Sequence, residues 1–160
     1  MALTVGTPAP DFKLYNTDKK EVALGDFKGK NLIINFFPAA FTGVCSAQMC
    51  NSRDELSFYN GLNATVVGVS VDMPFSLGEF KAKNNLNFDL LSDFNKEMIK
   101  AYDMVQEKFA LGMLNVAKRG VVLVNKNGLV SYVEVTPSPG DQVNFAALNE
   151  ALTKANQATA

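Results

Sequence analysis

No histidine occurs among the 160 residues of the chain. It therefore cannot build a Ser-His-Asp triad, a Cys-His dyad or a His-ligated metal site. Cysteine is nearly as scarce, with only Cys45 and Cys50 present. Two thiols alone make a poor zinc site, because structural zinc usually takes four Cys or His ligands. There is no excess of positive charge either: fifteen Lys and Arg stand against sixteen Asp and Glu, a formal charge of -1. Without a basic field, neither nucleic acid nor an anionic membrane is expected as a partner. No apolar run approaches the roughly 18 to 20 residues of a membrane span. Residues 1–10 carry neither the basic start nor the apolar stretch of a secretory leader. A cytoplasmic address is the expectation, with small molecules or proteins as partners and no metal or cofactor. The polar chemistry that remains is thiol, carboxylate, lysine and arginine, working with backbone amides.

What is present suits one domain over residues 1–160, since 48% of the chain is hydrophobic and this length supports one substantial core. Residues 31–37 (NLIINFF) form a β-branched and aromatic run between Gly29 and Pro38, and read as a buried strand. Residues 64–71 and 120–124 have the same character. Residues 129–135 follow the latter across Asn125-Lys-Asn-Gly128, which predicts a β-hairpin. Helical spacing is found over 45–60, 75–84, 95–102 and 144–156. This alternation predicts an α/β fold with a central mixed sheet flanked by helices. Pro8 and Pro10 hold the start extended, and Thr136-Pro-Ser-Pro-Gly140 reads as a loop before the last helix.

The chemically informative stretch is Phe36-Phe-Pro-Ala-Ala-Phe-Thr-Gly-Val-Cys45. It leaves a buried strand, turns at Pro38 and enters a helix near Thr42, a plausible N-cap that places Cys45 in the first helical turn. A thiol there meets unpaired backbone N–H groups and the positive end of the helix dipole, both of which stabilise thiolate over thiol. Taken singly, Cys45 could be a small core residue, Pro38 a strand terminator, Thr42 a helix cap and Arg119 a strand-edge charge. Their joint occurrence is what carries weight.

Pro38-x-x-x-Thr42-x-x-Cys45 matches the peroxiredoxin active-site motif, and the chain resembles that family well beyond it. Gly6-Thr-Pro-Ala-Pro-Asp-Phe12, Val69-Ser-Val-Asp72, Leu91-Ser-Asp93 and Arg119 before a strand continue the resemblance. It implies a thioredoxin-like fold and a cofactor-free thiol-dependent peroxidase. In such an enzyme Cys45 attacks hydrogen peroxide or an organic hydroperoxide and becomes a sulfenic acid. The resemblance further implies that Thr42 and the Cys45 N–H hold the peroxide, that Arg119 donates to sulfur and peroxide, and that Pro38 shields the thiolate. A thioredoxin-type or other small thiol is the implied reductant.

Cys50 follows Cys45 by five residues, a spacing that resembles the bacterioferritin-comigratory-protein or Q-type peroxiredoxins, in which the second cysteine resolves the sulfenic acid. On an intact helix these positions lie about 140° apart and roughly 8.6 Å between Cα atoms, whereas a disulfide needs less than about 7 Å. Resolution by Cys50 therefore requires the first turns to unwind, which Gly43 would ease. The resolving role is the expectation for Cys50, with an apolar helix position facing the core as the alternative. Ala40-Phe-Thr-Gly-Val-Cys45 and Asp72-Met-Pro-Phe75 resemble the one-cysteine alkyl hydroperoxide reductase E group, which relies on an external thiol. The Q-type group implies a monomer, the other a homodimer. A thioredoxin-like disulfide oxidoreductase is the alternative enzyme, although it usually carries Cys-x-x-Cys, which is absent here. A copper carrier lacks imidazole ligands, and a redox-sensing adaptor would lose its thiol to peroxide without turnover.

Overall fold

The structure, a computed structural model, describes residues 3–158. Met1 and Ala2, part of the segment considered above for a leader, lie outside the described residues. Seven strands form one mixed sheet: β1 (Lys13–Asn16), β2 (Glu21–Ala23), β3 (Asn31–Phe36), β4 (Ala64–Ser70), β5 (Asp89–Ser92), β8 (Gly120–Val124) and β9 (Val130–Val135), in the order β2-β1-β5-β4-β3-β8-β9. β3, β4 and β5 run parallel; β8 joins β3 antiparallel and continues into the hairpin with β9. A separate two-stranded ribbon pairs β6 (Val105–Lys108) with β7 (Leu114–Ala117). The helices are α1 (Gly43–Asp54), α2 (Leu56–Gly61), α3 (Pro74–Lys83), α4 (Glu97–Ala101) and α5 (Phe145–Ala158).

The central strand β3 is buried along its whole length because the sheet is covered on both faces. Its side chains alternate between two cores. Leu32, Ile34 and Phe36 join the cluster that holds α4 residues Met98 and Ile99, together with Tyr102. Ile33 and Phe37 join the other cluster, which contains Cys45 and Met49 of α1, Tyr59 of α2, Leu77 and Phe80 of α3, and Leu148 and Leu152 of α5. One close approach sets the seat of α1. A Cβ on Gly68 of β4 would lie 2.7 Å from Leu90 Cδ2 and 3.0 Å from Met49 Sδ. Glycine at this point lets Met49, and α1 with it, rest directly on the sheet.

The long strands, the hairpin and the loop at 136–140 lie where the hydrophobic pattern predicts them. The expected helix over 45–60 is two helices instead. Glu55 adopts φ -93°, ψ 6°, between α1 and α2. No Gly or Pro marks that break; beyond it Leu56 and Tyr59 pack against the same core as Cys45 and Met49. The predicted helix over 95–102 is confined to Glu97–Ala101. β1, β2, β5, β6 and β7 are three or four residues each. That is too short for a period-2 pattern to stand out.

Candidate active site

β3 ends at Phe36, and Pro38 is buried where the chain turns away from the sheet. Its ring brings no N–H needing a partner at a point where no strand neighbour could supply one. The loop is then tied down by Asp72, whose Oδ2 accepts the Ala40 N–H at 2.9 Å and the Ser70 hydroxyl at 2.6 Å. Phe41 follows at φ +68°, a left-handed conformation uncommon for an aromatic residue, with its ring edge-on to Phe80.

Thr42 occupies the N-cap of α1 with extended backbone, as the sequence suggests, but its side chain does not cap the helix. Its hydroxyl donates instead to the Ala39 carbonyl at 2.9 Å. With the proton so engaged, the exposed oxygen faces other groups as an acceptor. The first helical bond runs from the Ser46 N–H to the Thr42 carbonyl. The N–H groups of Gly43, Val44 and Cys45 thus precede the hydrogen-bonded ladder, at the positive end of the helix.

Cys45 is fully buried. Arg119, itself buried, donates from Nη2 to Cys45 Sγ at 2.9 Å. Register explains how a residue 74 positions away arrives here: Gly120 pairs with Phe36, so Arg119 stands beside the exit of β3. Its side chain is held by two further bonds, Nε to the Pro139 carbonyl at 2.8 Å and Nη1 to Gln48 Oε1 at 3.0 Å. A permanently charged group with its fork fixed this way stabilises negative charge on sulfur and has little freedom to leave it.

A cleft of about 420 Å³ opens over this floor, lined by Thr42, Val44, Lys108, Phe109, Arg119 and Pro139 among others. Gln142 donates to the Val44 carbonyl at 3.2 Å, so the loop carrying Pro139 also clasps the first turn of α1. Cys50 lies elsewhere on α1. It is half-buried, its Sγ 3.8 Å from Asn84 Oδ1 at the end of α3, and both cysteines are free thiols. Among the described residues, no three Cys, Asp or Glu side chains are grouped so as to hold a metal ion. No helix there is long and apolar enough to cross a membrane.

Of the residues singled out by sequence, Cys45 is bonded to Arg119, Thr42 lines the same cleft as Arg119, and Pro38 is buried at the start of the loop that leads to them, while Cys50 stands apart. Gln48 was missed, although its place three residues after Cys45 puts it on the same helical face. Pro139 and Gln142 had no local signal, because their role depends on a loop more than 90 residues along the chain. This buried thiol, set at a helix N-terminus beyond the end of an interior strand and bonded to an arginine, is an arrangement able to hold sulfur as a thiolate.

The chain belongs to the AhpC/TSA family, whose profile matches residues 5–133. It is 36% identical to a thiol peroxidase of Listeria innocua over 153 residues, covering 94% of this chain and 88% of that protein. It is 32% identical to the peroxiredoxin Bcp of Bacillus subtilis over 130 residues, covering 80% and 82%. Among solved structures it superimposes on a peroxiredoxin-like protein from Aquifex aeolicus with a TM-score of 0.86 at 25% identity, covering 96% and 88% of the two chains. The fold is thioredoxin-like.

Proposed function

We propose that Cys45 is the residue oxidised by peroxide in this thiol-dependent peroxidase. The Cys45 thiolate attacks one oxygen of hydrogen peroxide or an organic hydroperoxide. The O–O bond breaks, the departing oxygen takes a proton and leaves as water or alcohol, and Cys45 becomes a sulfenic acid. The observation that carries this reading is the 2.9 Å bond from the fixed Arg119 guanidinium to Sγ. It stabilises the thiolate and lies where charge moves onto the leaving oxygen. The Cys45 N–H would hold the peroxide from one side, and the Thr42 oxygen would accept its O–H from the other. Because Cys45 is fully buried, the first turn of α1 or the loop at 138–142 shifts to admit substrate.

Cys50 then resolves the sulfenic acid: its sulfur attacks Cys45, a disulfide forms, and the hydroxyl leaves with the Cys50 proton as water. Both residues lie on the intact α1, so each cycle unwinds its first turns. The same distance favours a second reading, in which Cys50 stays in place and an external thiol attacks the sulfenic acid. A thioredoxin-type or other small thiol serves as reductant in either case. The reading includes residues 1–160 as one domain, supported by two cores sharing one sheet. It also includes a cytoplasmic address, where two free thiols persist. A homodimer is supported by exposed Phe41, Met73, Phe75 and Phe94, which follow the ends of the parallel strands β3, β4 and β5.

The test is intact mass of wild type, Cys45→Ser and Cys50→Ser after one equivalent of hydrogen peroxide, with peroxide consumption followed in parallel. Loss of two hydrogens in wild type, a sulfenic adduct in Cys50→Ser and no reaction in Cys45→Ser support intramolecular resolution. A lasting sulfenic or sulfinic adduct in wild type assigns resolution to an external thiol. Undiminished consumption by Cys45→Ser overturns the assignment.

A further inference from the structure

Asn35 is out of place by pattern. It lies in the middle of β3, is fully buried, and by alternation points to the same face as Ile33 and Phe37, into the core beneath α1. An aliphatic side chain would fill that position without the cost of burying an amide. The bonds it makes explain its presence. Asn35 Oδ1 accepts from Gln48 Nε2 at 3.2 Å, and Asn35 Nδ2 donates to Ser52 Oγ at 3.2 Å. Gln48 and Ser52 are themselves buried, one turn apart on the inner face of α1.

The direction of this chain follows from donor chemistry. A guanidinium has five N–H donors and no acceptor, so Gln48 must present oxygen to Arg119. That turns the Gln48 amide nitrogen inward, where it requires an acceptor. Asn35 supplies one only with its own oxygen toward Gln48, which sends its nitrogen to Ser52 Oγ. With either amide turned over, N–H groups would face one another in a dry core, so each member holds the orientation of the next.

We propose that Asn35, with Ser52 behind it, is a positioning residue for the peroxidase reaction, keeping the Gln48 carbonyl oxygen on Arg119 and so holding the Nη2 donor on Cys45. The inference rests on the reading of Cys45 as the attacking thiol. Asn35 touches neither sulfur nor peroxide; it acts through Gln48. Peroxide reduction should depend on it more strongly than simple alkylation of the thiol. Alkylation needs the thiolate, whereas peroxide reduction also needs a donor aimed at the departing oxygen.

The test measures second-order rates of Cys45 with hydrogen peroxide and with iodoacetamide in wild type, Asn35→Leu, Gln48→Leu and the double variant. Asn35→Leu should lower the peroxide rate by on the order of tenfold to a hundredfold, the loss expected when a catalytic group moves by about 1 Å. Its alkylation rate should change less. In the Gln48→Leu background the relay is already cut, and Asn35→Leu should cost nothing further. An unchanged peroxide rate, an equal fall in both rates, or an equal loss in both backgrounds would overturn the proposal. Should Asn35→Leu not fold, Ser52→Ala replaces it. A lowered ratio of peroxide to alkylation rate supports the relay, and an unchanged ratio overturns it. Cys45→Ser serves as the control: peroxide consumption at the wild-type rate there would remove the reading of Cys45 itself. Normal Cys45 chemistry indifferent to Asn35 would remove the relay alone.

Discussion

The two sulfurs share one helix yet occupy very different surroundings. Cys45 lies in the first turn of α1, fully buried, beside N–H groups that precede the helical ladder and 2.9 Å from a charged donor. Cys50, about one and a half turns on, is half-buried against a neutral amide oxygen at 3.8 Å, and the Arg53 guanidinium that acts on it is bonded to Asp54 and the Asn84 carbonyl and not to its sulfur. The amino acid is identical and the helix is the same. What differs is the stretch of the helix and the element beside it: Arg119, where the chain enters β8, reaches Cys45 and Gln48, whereas Cys50 faces the end of α3. The reactivity proposed for Cys45 is thus a property of position, and a resolving role for Cys50 depends on leaving its position.

The most severe test of that contrast is to exchange sulfur for oxygen at each site. Cys45→Ser should lower peroxide turnover on the order of a thousandfold or more, as removal of a nucleophile does. Cys50→Ser should leave the first oxidation step unchanged, as stopped-flow measurement of that step would show. Next in size, Arg119→Met should slow peroxide oxidation by on the order of a hundredfold to a thousandfold, the cost of one donor aimed at developing charge. Arg119→Lys should recover only part of the rate, since an ammonium cannot bond Pro139, Gln48 and Cys45 from the same fork.

A smaller effect should follow from disturbing the seat of the whole helix. In Gly68→Ala, the new methyl meets Leu90 and Met49 at 2.7 and 3.0 Å. Denaturant unfolding should show a loss of about 1–3 kcal/mol, the usual range for overpacking. Peroxide oxidation should slow as α1 lifts, with Cys45 affected before Cys50.

The least effect is expected at Tyr59, in the same core as Cys45 but on α2. Its buried hydroxyl has no hydrogen-bond partner among the described residues, and burial pushes its pKa up to about 12 from about 10. The folded value exceeds the unfolded one. The group therefore leaves stability independent of pH below about pH 10 and lowers it as pH rises from about 10 through about 12, where the unfolded phenol ionises first. Tyr59→Phe should remove that alkaline loss and leave peroxide turnover unchanged. At neutral pH it should raise stability by up to about 1 kcal/mol, or a Tm increase of up to about 2–4 °C, readable by thermal unfolding at pH 7 and pH 11.

Much of the candidate site was legible because its signals are short. Thr42 and Cys45 are three residues apart, and the turn from strand to helix that carries them is marked by Pro38 and Gly43. Arg119 was legible only through resemblance, since nothing local connects it to Cys45. Gln48 could have been found from its i+3 relation to Cys45, but a glutamine on a helix face is ordinary without knowledge of what it meets. Asn35 is one polar residue in a strong strand, and nothing local shows that it meets α1. The break at Glu55 and the short strands left no periodic trace.

From the sequence alone came the long strands, the Asn125–Gly128 hairpin turn and the placement of Cys45 at a helix start. Each depends on hydrophobic alternation or turn chemistry within a few residues. Tertiary structure alone decided which groups gather around the sulfur and the arginine that bonds it. The pairing of Phe36 with Gly120 delivers Arg119, the loop after β9 delivers the Pro139 carbonyl, and the interior of β3 delivers Asn35. Convergence of this kind rests on strand register and helix seating between segments far apart in the chain, which no local pattern of side chains encodes.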